Sequence, residues 1–364
     1  MVGIVFIGNI ENCPYLSKYV KVLESENVSY EVLFWNRSGI AKKYDNNYIS
    51  FNLKSDLKKK PINKILDFIK FRKWLTGEVE RKKYKKLIIL STLSGVFIYS
   101  TLIKEYKYLY IFDIRDYSYE HIKPFKKIED KIIRNSFFTC ISSNAFKNFL
   151  TTDISYLLVH NYNSDEIKYK KIFSKKAAES TLNLVFIGGM RYFNHQSSII
   201  DRLKNDNRYN IIYHGRGVDL DKYKEYCAQN SIKNVRFTGE YDNSNKYKLL
   251  EDADILNNSY DMKIGNEVKY AISNKYYDGL IFGIPQLVEV GSYKHDKVSA
   301  NGLGIGLDVN DENFANKLYE YYHSIDIENF NKSCIDEISR VIEDDDAYIK
   351  ELKGFLLNNN YRNI

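Results

Sequence analysis

The feature that most constrains this chain is a repeated alternation along its length. Short apolar runs of strand length are separated by longer stretches in which apolar residues recur at helical spacing. The runs fall at 2–7, 30–34, 87–90, 108–112, 137–141 and 156–159, then at 183–187, 210–214, 234–237, 253–257, 286–288 and 305–307. Strands that alternate with helices predict parallel sheets covered on both faces. A polar, Lys-rich stretch at 166–181 has no apolar period and reads as a linker. The expected organisation is therefore a first domain over 1–165, the linker, and a second domain over 182–343. A last helix over 344–364, carrying Ile349, Leu352 and Leu356 at helical spacing, is expected to pack back on the body. Asp344, Asp345 and Asp346 read as its acidic N-terminus.

Length and composition agree with this reading. At roughly 100–200 residues per domain, 364 residues predict two or three domains. A chain that is 44% hydrophobic and 28% charged has material for full cores, which excludes disordered, collagen-like and disulfide-scaffold classes. Cys13, Cys140, Cys227 and Cys334 are far apart and form no CxxC pair, so buried or incidental thiols are expected. No apolar run approaches the ~18 residues of a membrane span, and the first strand is too short for a signal-peptide core. The expected location is cytoplasmic.

Charge is unevenly spread. The net charge is +7, and residues 54–86 hold thirteen Lys or Arg against four acids. That window carries +9 and leaves the remainder slightly acidic. Within it Ile62, Ile65, Leu66 and Ile69 recur at helical spacing, beside Phe68, Phe71, Trp74 and Leu75. A solvated helix and a peripheral contact with an anionic membrane are both readings of this pattern. Charge reversal at Lys58, Lys59 and Lys60 would test the second. No zinc-finger spacing, RNA-recognition signature or basic recognition helix supports a nucleic-acid partner.

Three groups of residues are candidates for a binding site in the second half. In Phe186-Ile187-Gly188-Gly189-Met190-Arg191 a strand runs into a glycine turn and an arginine, a pattern suited to an anion. His214-Gly215-Arg216-Gly217 and Asn234-Val235-Arg236-Phe237-Thr238-Gly239-Glu240-Tyr241 each end a strand in glycine. Together with Gly189 they predict a rim of open backbone on which a flat base and ribose can lie. The third group is Ser273-Asn274-Lys275-Tyr276-Tyr277-Asp278, followed by Gly283-Ile284-Pro285. Ser273 is a natural N-cap, Lys275 is placed to meet a diphosphate, and Asp278 can accept two hydrogen bonds from ribose hydroxyls. A tight turn with a surface Arg, and a Lys and Asp that pair with each other at the surface, are the non-functional alternatives.

This order of landmarks resembles the donor domain of GT-B glycosyltransferases, especially the retaining family 4 type of bacterial capsule, O-antigen and exopolysaccharide pathways. The resemblance covers about 180–310. It rests on strand–Gly-Gly–Arg, Gly-x-Gly, Asn-Val-x-Phe-x-Gly, Leu-x-x-Ala-Asp-Ile at 250–255, and Asn-Lys-x-x-Asp with Gly-x-Pro. It is looser over the first half, at Gly8, Ile141-Ser142-Ser143 and His160-Asn161. It implies an α/β GT-B fold, two Rossmann-like parallel-sheet domains facing across a cleft. It also implies transfer of a hexose-type sugar from a nucleoside-diphosphate sugar, a UDP-sugar foremost, to a hydroxyl of a lipid-linked or oligosaccharide acceptor at the inner face of the plasma membrane. Retention, no cofactor and no metal are part of the same expectation.

On this likeness the donor-binding residues are Gly189, Arg191, Gly215, Gly239, Tyr241, Asn274, Lys275 and Asp278. Two departures are visible. Tyr270 stands where the family places the first acid of a Glu-x7-Glu pair, with Glu267 the alternative acid, and the family's lysine a few residues after the arginine is missing after Arg191, so Lys263, Lys269 or Lys275 must supply the second cation. The acceptor side falls to Gly8 and to Phe112-Asp113-Ile114-Arg115-Asp116-Tyr117, with Arg115 as a contact and Asp116 or His121 orienting or deprotonating the acceptor. An internal Asp113–Arg115 pair is the alternative for that stretch.

Rival readings are narrower. Asp252-Ala253-Asp254 has the spacing of a GT-A metal motif but ends a helix and enters a strand, and so reads as a folding signal. A nucleotide-sugar 2-epimerase of the same fold would need no acceptor. A catalytically degenerate partner subunit would bind without turnover. A dehydrogenase is disfavoured because Gly8-Asn9-Ile10-Glu11-Asn12-Cys13 lacks G-x-G-x-x-G, and no H-E-x-x-H marks a metal hydrolase.

Overall fold

The structure, a computed structural model, describes residues 1–40, 42–55 and 61–358. Lys58, Lys59 and Lys60, and the side chain of Ile62, lie outside the described residues. The chain forms two compact units, one made of residues 1–160 with the stretch from Glu343 onward, the other of residues 161–342.

The first unit is built on seven parallel strands: β1 (Val2–Phe6), β2 (Tyr30–Asn36), β3 (Tyr48–Asn52), β4 (Lys86–Leu90), β5 (Tyr110–Ile114), β6 (Phe138–Ile141) and β7 (Tyr156–Leu158). Their order is β3-β2-β1-β4-β5-β6-β7. β1 and β4 are buried at every position, as expected of strands covered by helices on both faces. The edge strand β3 was not among the expected runs. It has no fully buried residue, and its Tyr-Ile-Ser-Phe-Asn carries too little apolar signal to stand out.

The second unit has six parallel strands: β8 (Leu182–Ile187), β9 (Tyr209–His214), β10 (Val235–Gly239), β11 (Ile255–Asn257), β12 (Gln286–Val288) and β13 (Gly304–Gly306). Their order is β10-β9-β8-β11-β12-β13. The order reverses between β8 and β11, which pair through Leu184 with Ile255 and Val185 with Leu256. In doubly wound sheets ligands bind outside the carboxyl ends of the strands at such a reversal. Every expected strand is found, displaced by no more than two residues at either end.

Two expectations about the joints change. The polar stretch at 166–181 is part of the second unit, because Phe173 is buried in its core against Tyr322 and Phe330. The last helix runs over Ile327–Leu357, so Asp344 to Asp346 lie in its interior and not at its start. There Asp345 pairs with Lys18 at 2.8 Å and Asp344 meets His160 at 2.9 Å. Tyr348, Leu352, Phe355 and Leu356 complete the core of the first unit. The end of the helix is held by Lys86, whose ammonium donates to the carbonyls of Phe355, Leu356 and Asn358. A cation at this end also complements the negative pole of the helix.

All four cysteines are buried and free. Among the described residues no helix is long and apolar enough to cross a membrane.

Candidate nucleotide-sugar site

The carboxyl ends of β8 and β11 are bridged by one side chain. Lys275, in the first turn of the helix Asn274–Ile281, is buried, and its ammonium donates to the Tyr260 hydroxyl at 2.6 Å and approaches the Ile187 carbonyl at 3.4 Å. It also lies over the rings of Phe186 and Tyr260, 4.2 and 4.7 Å from their centroids. Among the described residues no carboxylate stands within ion-pair distance of it. Burial lowers its proton affinity to about 8, against the pull of Asp278 and Glu289, and the nearby charge of Arg191 lowers it further.

The backbone opposite Lys275 is bare. Gly188 has φ +132°, and a Cβ built there would meet only the Lys275 ammonium, 3.8 Å away. Gly189 faces the guanidinium of Arg191, an exposed residue. Gly239, at the end of β10, has nothing within 4 Å of a built Cβ. Gly215 and Gly217 differ from the expectation of an open ledge. A Cβ on Gly215 would overlap the Gly188 carbonyl oxygen, and one on Gly217 the Met190 backbone. These two glycines let two strand-end turns pack backbone to backbone, locked by Gly188 N–H to His214 and Met190 N–H to Arg216. Only Gly188, Gly189 and Gly239 leave backbone uncovered at the rim.

Asp278 lies one turn beyond Lys275 and is buried. It does not pair with Lys275. Its Oδ1 accepts from the Lys246 ammonium at 2.6 Å, and the same ammonium lies 2.7 Å from Glu166. Burial raises the Asp278 carboxyl while Lys246 opposes the shift. Burial works against the charge on Lys246 too, but the two acids outweigh it and hold its proton more tightly than usual. Tyr241, half-buried, sits in the field of this group, and burial raises its hydroxyl to about 12. Two acids on one cation leave a net negative charge beside the Lys275 cation.

Behind the rim a second buried cation braces Tyr260. Lys294 pairs with Glu289 at 3.0 Å, donates to the Asn258 carbonyl, and lies 4.4 Å from the Tyr260 ring centroid. Ser273 occupies the N-cap position, but its hydroxyl donates to Asn258 Oδ1 instead of capping the helix. Asn274 and Lys263 are exposed. Sequence reasoning missed Lys246, Glu166, Tyr260 and Lys294, since each acts through a partner from another element.

In the first unit the expected residues separate. Arg115 is buried and engaged, with Nε and Nη2 each 2.7 Å from an Asp113 oxygen and Nη1 donating to the Val159 carbonyl at 2.8 Å. The internal pair therefore describes it, and its guanidinium is not presented to an acceptor. Gly8 is buried, and a Cβ there would press on the Phe6 ring. Asp116 and His121 are exposed on the loop between β5 and the helix Lys123–Asn135. The buried acid of that loop is Glu120, which accepts from the Ser118 N–H and lies beside Glu129, raised to about 8 by burial.

The Asp252-Ala253-Asp254 stretch holds the fold together through one carboxylate and one backbone carbonyl. Asp254 accepts from Lys176 and from the Asn183 N–H, and the Asp252 carbonyl accepts from the Asn183 side chain. Among the described residues no group of three His, Cys, Asp or Glu side chains is placed to hold a metal ion.

Two parallel-sheet α/β units of seven and six strands are the architecture of the GT-B glycosyltransferases. The chain is similar to sucrose-phosphate synthase from Thermosynechococcus elongatus, with a TM-score of 0.73 and 10% identity over 98% of each chain. It is similar to Anabaena HepE, solved with UDP and glucose, with a TM-score of 0.68 and 10% identity over 97% of this chain and 99% of that one. A UDP-GlcNAc 2-epimerase from Neisseria meningitidis, bound to UDP-GlcNAc, matches with a TM-score of 0.56 and 13% identity over 94% and 100%. No protein-family model matches the chain, and no curated protein does.

Proposed function

We propose that this protein is a retaining, family 4-like glycosyltransferase. It takes a hexose-type sugar from a nucleoside-diphosphate sugar, a UDP-sugar foremost, and moves it to a hydroxyl of a lipid-linked saccharide in bacterial surface-polysaccharide synthesis. The observation that carries this reading is Lys275. A buried ammonium with no carboxylate partner among the described residues, facing bare glycine backbone at the reversal of a parallel sheet, is the environment an anionic diphosphate completes.

In this reading the diphosphate lies against Gly188 and Gly189, between Lys275 and Arg191. As the glycosidic bond breaks, the departing diphosphate gains charge, and cations already fixed in place stabilise it with little reorganisation. Asp278 accepts from the ribose hydroxyls, and Lys246 positions it. The base lies towards Gly239 and Tyr241. Asp116 and His121 are the first unit's candidates for orienting or deprotonating the acceptor. The departing phosphate helps to take the acceptor proton, as retention by this family's chemistry implies.

Calorimetric titration with UDP and a panel of UDP-, GDP- and dTDP-sugars tests the donor part. Asp278→Asn is expected to weaken UDP binding at least tenfold with little change in melting temperature. Unchanged affinity in that variant would refute the ribose role. The similarity to a 2-epimerase makes that activity the second reading, and conversion of UDP-GlcNAc with no acceptor present would put it first.

A further inference from the structure

The helix Pro61–Lys82 has two apolar faces, and only one of them is used by the fold. Phe71, Leu75 and Val79 are fully buried, and Trp35 stacks on Phe71 at 5.1 Å with Phe68 edge-on at 5.3 Å. Ile65, Leu66 and Ile69 point the other way and are 57%, 52% and 55% exposed. Ile69 lies four residues beyond Ile65 and three beyond Leu66, so it neighbours both on one side of the helix. Lys70, Arg72 and Lys73 are exposed around and just beyond it. Asp67, the acid in this part of the helix, is buried on the inward side near Arg37. The outward surface over 63–73 therefore presents three branched aliphatics among cations and shows no exposed acid.

We propose that this face docks the protein on an anionic phospholipid surface. The cations alone would suit any polyanion. Nucleic acid leaves the aliphatics unexplained, because Ile and Leu offer no ring on which a base can stack, and Phe68, Phe71 and Trp74 are engaged with the body. A protein groove would account for the aliphatics but not for cations unrelieved by acids. A bilayer of anionic lipid meets both demands. The aliphatics enter the acyl boundary, while Lys and Arg extend their stems along it and keep their charges at the phosphates. The proposal rests on the first unit alone and goes beyond the donor site.

Co-sedimentation with vesicles of phosphatidylglycerol and phosphatidylcholine, against phosphatidylcholine alone, tests it. The wild type is expected to pellet with the anionic vesicles at low salt and to release as salt rises. The triple variant Ile65→Asn, Leu66→Asn, Ile69→Asn should lose at least tenfold in partitioning, and so should Lys70→Glu, Arg72→Glu, Lys73→Glu. Both should keep the wild-type melting temperature and UDP affinity, because they change exposed side chains only. Equal pelleting of wild type and aliphatic variant would overturn the proposal. So would tight binding of single-stranded DNA that survives the aliphatic substitutions. If UDP binds no form of the protein while the vesicle results hold, the donor reading fails and the docking face stands.

Discussion

A single ammonium is the most informative atom in the second unit. Lys275 is buried with a hydroxyl, a carbonyl and two ring faces around it, none of which neutralises a full charge. Its proton affinity near 8 places its loss of charge within a range that solution experiments reach. As pH rises through that value the site surrenders a cation, so UDP affinity is expected to fall between pH 7 and pH 9. The fall for one such group is at most about tenfold per pH unit above the pKa. Lys275→Met should bind UDP more weakly at pH 7 and show a flat profile over the same range. Calorimetric titration at the two pH values measures this, and parallel slopes in both proteins would remove Lys275 from the site. That a helix begins just after Ser273, with Lys275 in its first turn and Asp278 one turn on, was legible in the sequence from Ser273 before it and Gly283-Ile284-Pro285 after it. Their partnership was not legible. Lys246 and Glu166 reach Asp278 only after folding, and a lysine in a Lys-rich chain gives no sign of being the one that is buried.

At the scale of elements, the strand-end glycines divide into two kinds that the sequence writes identically. Gly239 and Gly188 meet no neighbouring backbone, whereas Gly215 and Gly217 leave space for it. Gly215→Ala would force a methyl group into the Gly188 carbonyl at a φ of +138°, so both sterics and backbone strain oppose it. A loss of about 2–4 kcal/mol is expected, read from the urea midpoint. Gly239→Ala meets no neighbour and should lose only the strain of its positive φ, about 1 kcal/mol. Equal losses would show that the two turns do not pack as described. The same ambiguity affected the basic helix. Its apolar residues were visible in the sequence, but helical spacing alone did not separate the Phe71, Leu75 and Val79 face that meets the sheet from the Ile65, Leu66 and Ile69 face that meets solvent. The buried strands were legible for the opposite reason, since a strand covered on both sides is apolar throughout and stands out from what surrounds it.

For the whole molecule, the decisive element is the helix Ile327–Leu357, whose residues up to Ile342 belong to one unit and the remainder to the other. Cutting the chain after residue 343 would remove Tyr348, Leu352, Phe355 and Leu356 from the core of the first unit and take from the Lys86 ammonium the three carbonyls it donates to. The truncated protein is expected to melt in two steps. An early step would belong to the first unit, and a later one, close to that of the full chain, to the second. Calorimetry with limited proteolysis of each unit checks this; loss of both units together would contradict it. Multidomain chains commonly fold from the amino terminus as they are synthesised. Here the first unit is made before the second, yet it lacks part of its own interior until the residues from Glu343 onward, which follow the second unit, have been translated. The earlier of the two sheets must wait, incomplete, while the whole of the other is translated, so of the two units it is exposed to misassembly for longer.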